Sequence, residues 1–226
     1  MNSNSQYGIA LWFSSNNIIE NNNANSNVFH GIHLSHSSSN VIKNNNINSN
    51  SFEGIFLSSS NNNIIRNNNL NSNKEYGIYL WMYSSNNSIY LNNFINNGDN
   101  VYSYKSTNIW NSSSKRNYSY NGNTYINYTG NYWSDYNGTD SDGDGIGDTP
   151  YNISSDSDEP NSVFVVQVGK TPYNISSDSD KDNYPLMVGF ENYIKAEKEE
   201  KEVPGFEALF AITGLLAVAY LLRRRK

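Results

Sequence analysis

Gly8-Ile9-Ala10-Leu11, Gly31-Ile32-His33-Leu34, Gly54-Ile55-Phe56-Leu57 and Gly77-Ile78-Tyr79-Leu80 are four versions of one phrase, each beginning 23 residues after the last. The register holds on either side of the phrase. Asn17, Asn40 and Asn63 align, as do Ile19, Ile42 and Ile65, and then Asn22, Asn45 and Asn68. In the fourth unit the middle slips by one residue, giving Asn87, Ile89, Asn92 and Phe94, and Asn100 restores the step. Each unit therefore reads G-I-x-L, N-x-I, N-x-(A/I/L/F): three short stretches of alternating apolar and polar residues joined by Ser/Asn turns, which is the pattern of strands. A fixed period of this length means stacked units that cannot bury an apolar face alone.

Three strands per 23-residue coil predict an all-β chain, a right-handed parallel β-helix with coils about 4.8 Å apart. Stacking also accounts for the asparagines, which number 15 in residues 1–50 and 15 more in residues 51–100. Amides at one coil position sit above one another and can hydrogen-bond along the stack, and Asn tolerates the left-handed backbone of a sharp corner. The inward Ile and Leu columns supply the core, at about 1.5–3 kcal/mol per buried side chain. Asn2-Ser3-Asn4 matches Asn25-Ser26-Asn27, so the chain opens on the tail of a coil and is expected to be part of a longer protein that carries a signal peptide and further coils.

Composition excludes several classes. Charged residues make up 16% and the net charge is −6, so nucleic acid is not an expected partner; with no cysteine there is neither a disulfide framework nor a thiolate metal site.

Past residue 100 the period fades into a Tyr/Trp/Asn-rich stretch expected to cap the open apolar end. Four segments follow from this reading: coils over 1–111, a cap with an acidic loop over 112–190, a charged linker over 191–203 and an apolar tail over 204–226. Within the cap, Asp140, Asp142, Asp144 and Asp148, with Gly145 at position 6 and the Ile146 carbonyl at position 7, match the spacing of an EF-hand calcium loop, although position 12 is Tyr151 rather than a glutamate. Calcium is the expected ion. Thr149–Asp158 recurs unchanged as Thr171–Asp180, a local duplication to which no chemistry is assigned. N-x-S/T acceptor motifs stand at Asn86, Asn111, Asn117, Asn127, Asn137, Asn152 and Asn174.

The G-I-x-L/N-x-I repeats, followed by Gly130–Tyr136, Asp142–Tyr151 and Tyr184–Met187, resemble archaeal cell-surface proteins with a NosD-type β-helix and the wider carbohydrate-binding and sugar-hydrolysis (CASH) domains. The tail, with Pro204-Gly205-Phe206, an apolar stretch from Ala208 to Leu222 and then Arg223-Arg224-Arg225-Lys226, resembles the PGF-CTERM sorting signal. That resemblance implies cleavage near Pro204, Gly205 and Phe206 by an archaeosortase and attachment to a lipid. Left uncleaved, the tail would be a hydrophobic transmembrane helix with its basic end inside. Both routes place the coils on the outer face of the cell membrane, in a surface or S-layer setting.

Three kinds of function compete. Hydrolysis or lyase chemistry needs paired carboxylates, and residues 1–100 hold only Glu20, Glu53, Glu75 and Asp99, with no pair evident. Copper, which the NosD resemblance implies, would draw on His30, His33 and His36, the only histidines. Here His33 is expected to point outward, and His36 shares inward parity with Leu34 if the strand continues. A binding role rests on Trp12, Phe56, Tyr79 and Trp81, outward aromatics of the first strand column suited to stacking on sugar rings. The leading expectation is a non-enzymatic surface protein, structural, adhesive or glycan-binding, whose partners are surface glycans or neighbouring surface proteins.

Overall fold

A computed structural model describes residues 2–155 and 181–193. Three parallel sheets form the sides of a β-solenoid. The first contains Ile9–Trp12, Ile32–Ser35, Ile55–Ser58, Tyr76–Trp81, Asp99–Ser103 and Ser154–Ser155. The second is built from Ile18–Glu20, Val41–Lys43, Ile64–Arg66 and Ser88–Tyr90; the third from Asn46–Asn48, Asn69–Asn71, Asn93–Ile95 and Tyr132–Trp133. Register follows the repeat, with Ile9 facing Ile32, Ile32 facing Ile55 and Ile55 facing Ile78. The only helix among the described residues is the 3-10 turn Phe190–Asn192. The expected hydrophobic helix, with Pro204, Gly205 and Phe206, lies outside the described residues.

Inward columns fill the core: Ile32, Ile55, Ile78 and Val101 on one side, Ile19, Ile42, Ile65 and Ile89 on the next. The third column grows along the stack through Ala24, Ile47, Leu70, Phe94 and Trp133, all buried. The end of the core is closed by aromatic rings, with Trp133 lying flat between Phe94 (4.3 Å) and Tyr151 (4.3 Å).

The asparagines form three ladders. Asn4, Asn27, Asn50, Asn73 and Asn97 make one; Asn17, Asn40, Asn63, Asn87 and Asn108 the second; Asn22, Asn45, Asn68, Asn92 and Asn131 the third. At each rung the backbone N–H and side-chain Nδ2 both donate to Oδ1 of the next coil, as Asn45 does to Asn68 at 3.0 and 3.0 Å. The left-handed corner conformation belongs mainly to the residue before each ladder Asn: Asn16, Asn44 and Ser49 have φ of 61°, 56° and 55°. The ladder amides thus serve hydrogen bonding, and the corners are turned by their neighbours.

The repeat glycines serve close packing. A Cβ on Gly31 would lie 2.4 Å from Ile47 Cγ2 and 2.8 Å from the Gly54 carbonyl oxygen, so the corner approaches the next coil too closely for any side chain. The one-residue slip of the fourth unit is absorbed where Met82 and Tyr83 both take positive φ, before Ser84 re-enters the stack.

Candidate functional site

The outer face of the first sheet carries a continuous layer of rings. Along one outward column His33, Phe56, Tyr79 and Tyr102 follow each other in register. Flanking them are Tyr7, His30, Glu53 and Tyr76 on the entry side and Trp12, Trp81 and Tyr104 at the exit. Tyr7 and Trp12 both lie 4.7 Å from His33, Phe56 stands edge-on to Tyr79 at 5.5 Å, and Trp81 stacks on Tyr104 at 4.6 Å. All four sequence-predicted aromatics therefore lie on this face. They are packed against other rings, and Trp12 is the most open at 54% exposure. Tyr7, Tyr102 and Tyr104 extend the layer at both ends. The Tyr79 hydroxyl is pushed up by burial and then by Tyr102 and Tyr76, so it stays neutral and able to donate.

The histidines separate. His30 and His33 stack at 5.3 Å on this face, and His30 Nδ1 pairs with the buried Glu53 carboxylate. His33 is buried with neither ring nitrogen hydrogen-bonded. Burial, and then the neighbouring His30, push its pKa down to about 4 against the pull of Glu53, so it is neutral near pH 7. His36 lies elsewhere, because the strand ends at Ser35; at φ 51° it turns out to solvent, stacks on Phe13 at 4.8 Å and meets Ser35 Oγ at 3.1 Å. Its expected inward parity does not arise. Glu53 was not among the expected ligands, and only the coil register reveals it: it occupies in its own coil the position His30 holds 23 residues earlier.

The other carboxylates of the coils have different settings. Glu20 pairs with Lys43 at 3.5 Å on the second sheet, a partly exposed contact of little energetic weight. Asp99 begins a strand of the first sheet, and its N–H donates to the Glu75 carbonyl.

In the cap, Asp140, Asp142 and Asp144 converge, each offering a carboxylate oxygen within 4.8 Å of the others. Asp148 is not in that cluster: its Oδ2 accepts from the Ser141 N–H and hydroxyl and from Thr139 Oγ1, bonds that hold its pKa below the usual carboxylate range. Ile146 is buried and its N–H donates to Asp144 Oδ1 at 2.7 Å. Tyr151, at loop position 12, instead closes the core end and donates to Asp135.

A buried acid in the cap has no counterpart in the sequence reading. Asp182, 0% exposed, accepts from the N–H of Asn131 (2.7 Å) and Trp133 Nε1 (3.0 Å) through one oxygen and from the Tyr184 N–H (3.0 Å) through the other. It terminates the third asparagine ladder. Burial raises its pKa to about 7 against those donors.

Of the acceptor motifs, Asn86, Asn117, Asn137 and Asn152 are exposed, whereas Asn111 and Asn127 are partly buried and hydrogen-bonded locally. Asn174 lies outside the described residues.

Comparison with known proteins adds two matches. Residues 203–225 match the PGF-CTERM motif, which marks a cell-surface protein attached at the membrane. No curated protein and no solved structure matches the chain. Residues 1–138, more than half of the chain, match the family described as periplasmic copper-binding protein (NosD), and the chain belongs to that family.

Proposed function

We propose that this chain is a non-enzymatic surface protein whose first sheet binds extended glycans through its outer aromatic layer. The observation that carries the reading is the ring column itself. Side chains from every coil between Tyr7 and Tyr104 line one face, and Trp12 keeps an open surface at its end. A contiguous apolar layer that keeps partial contact with solvent marks a contact site, and a row of rings at the coil spacing suits a polymer of flat-faced sugar units. A glycan array probed with the purified chain should show binding to a class of oligosaccharides without turnover. Trp12→Ala should weaken it about tenfold, in line with aromatic contributions of about 0.5–1.5 kcal/mol. Turnover of a bound glycan, or binding indifferent to Trp12→Ala, would overturn this reading.

A second reading has its own support. His33 offers two buried, unpartnered ring nitrogens beside the His30–Glu53 pair, and imidazole suits copper; a copper-handling role would place the metal there. Stoichiometric copper binding lost in His33→Ala would favour it, and equal titrations of the variant and the parent would dismiss it.

A further inference from the structure

The N-x-S/T motifs are not distributed as the asparagines are. Residues 1–85 contain none. The stack explains their absence: two residues after Asn17 and Asn22, and after their counterparts in the next coils, comes an inward side chain such as Ile19, Ala24, Ile42 or Ile47, so a hydroxyl there would lie in the core. The first motif arises in the fourth coil, where the outward column Ile18, Val41, Ile64 continues as Ser88, two residues after Asn86. The others begin at Asn111, past the regular coils.

Acceptance of a sugar needs two groups within reach at once: the amide nitrogen that is modified and the hydroxyl two residues on that completes the motif. Asn111 and Asn127 commit that nitrogen elsewhere, to the Ser112 carbonyl at 2.8 Å and to Asp144 Oδ2 at 3.3 Å. Asn117 is exposed, but Ser119 beyond it on the strand Arg116–Tyr120 is only 8% exposed. Asn86 is followed by the buried ladder residue Asn87 and by Ser88, which begins a strand; Asn152 is followed by the buried Ile153 and by Ser154, which is paired with Tyr102 in the first sheet. Both motifs are bound into the stack.

Asn137-Gly138-Thr139 differs from all of these. It belongs to no strand, Asn137 and Thr139 are both exposed, and the Asn137 side chain makes no hydrogen bond among the described residues. The turn is nonetheless fixed in place. The Tyr136 hydroxyl donates to the Thr149 carbonyl at 2.7 Å, the Asp148 N–H donates to the Thr139 carbonyl at 2.7 Å, and Thr139 Oγ1 donates to Asp148. Gly138 lies so close to the Tyr136 hydroxyl that a Cβ there would collide with it, which leaves the Asn137 amide facing outward on a held loop. We propose that Asn137 is a glycosylation site, modified by a glycosyltransferase that draws on a sugar carried by a lipid phosphate. The bond between Asn137 Nδ2 and sugar C1 forms as the C1–O bond to the phosphate breaks; the phosphate leaves with that electron pair and takes up the proton that Nδ2 gives away. The cell-surface attachment marked by the PGF-CTERM match brings the loop to the membrane face where such a donor is available.

The test is glycopeptide mass spectrometry of the full chain purified from the cells that make it, alongside variants expressed in the same cells. The peptide holding Asn137 should carry an oligosaccharide in most molecules, and those holding Asn111, Asn117 and Asn127 should have their unmodified masses. Asn137→Gln and Thr139→Ala should each remove the sugar from that peptide, and Thr139→Ser should retain it; an unchanged circular dichroism spectrum shows that each variant is folded. An unmodified Asn137 in the parent chain would overturn the proposal, as would sugar that persists in Asn137→Gln, the result expected of attachment through Thr139. Equal occupancy at Asn137, Asn117 and Asn127 would overturn the selection by exposure.

Discussion

The coils and the cap solve the same problem, a buried polar group that needs a partner, in opposite ways. In the coils each amide finds its partner in the next copy of itself: Asn68 Oδ1 accepts from Asn45, and Asn68 Nδ2 donates to Asn92 and to the carbonyls of Ile42 and Arg66. In the cap a partner is supplied once, and for the ladder's last amide it comes from far along the chain, as Asp182 serves Asn131 and Trp133. Repetition spreads the polar contacts over many equal rungs. The cap concentrates them in a few residues with no substitute.

The largest expected effect is in the coils. Asn68→Ala would break the five hydrogen bonds its side chain makes, leaving the Asn45 N–H without its acceptor and taking one donor each from Asn92 Oδ1 and the carbonyls of Ile42 and Arg66, a loss of about 4 kcal/mol at a net of about 0.5–1.5 kcal/mol per bond, discounted for non-additivity. Asp182→Ala should cost somewhat less, about 3 kcal/mol, because it breaks four hydrogen bonds where the coil variant breaks five. The two losses should differ in reach: denaturant unfolding of the coil variant moves the whole transition, whereas amide exchange in the cap variant rises first around Asn131 and Tyr184. A cap variant that unfolds the coils equally would erase the distinction between the regions.

Acidification separates the regions more finely. His33, with a native pKa of about 4 against about 6.5 unfolded, takes up its proton more readily once unfolded. The coils therefore keep their stability above about pH 6.5 and lose it as the pH falls towards 4. Asp182, with a native pKa of about 7, holds its proton better in the folded state, so its contribution grows as the pH falls from 7 to about 4. Exchange corrected for intrinsic rates should thus show protection falling at Ile32–Ser35 and rising near Asn131 between pH 7 and 5. His33→Phe should remove the first trend alone. The smallest effect is at the Glu20–Lys43 contact, where Lys43→Ala should shift the unfolding free energy by less than about 1 kcal/mol, less at high salt.

How much of this could be read from the amino acids follows the same division. Ile9, Ile32, Ile55 and Ile78 announce their register because a coil position repeats after a fixed count, so strands, core columns and ladders were all legible. So was the outward set of Trp12, Phe56, Tyr79 and Trp81. The pairing of His30 with Glu53 was less visible, since it joins unlike residues at like positions. Asp182 and Asn131 are 51 residues apart with no repeat behind their pairing, so it had no periodic signal. Spacing alone put Asp148 beside Asp140, whereas local bonds to Thr139 and Ser141 draw its carboxylate away. His36 shows the related failure of parity past the end of a strand.

The ladders also have a direction. Every rung donates from the earlier coil and accepts in the later one, so the amide dipoles add along the axis as peptide dipoles do in an α-helix. Their N–H pole emerges at Asn131, where the chain places a carboxylate against it. A solenoid of this kind is polar, like a filament with two unlike tips, and can be lengthened in its middle by whole coils without disturbing the chemistry that each tip requires.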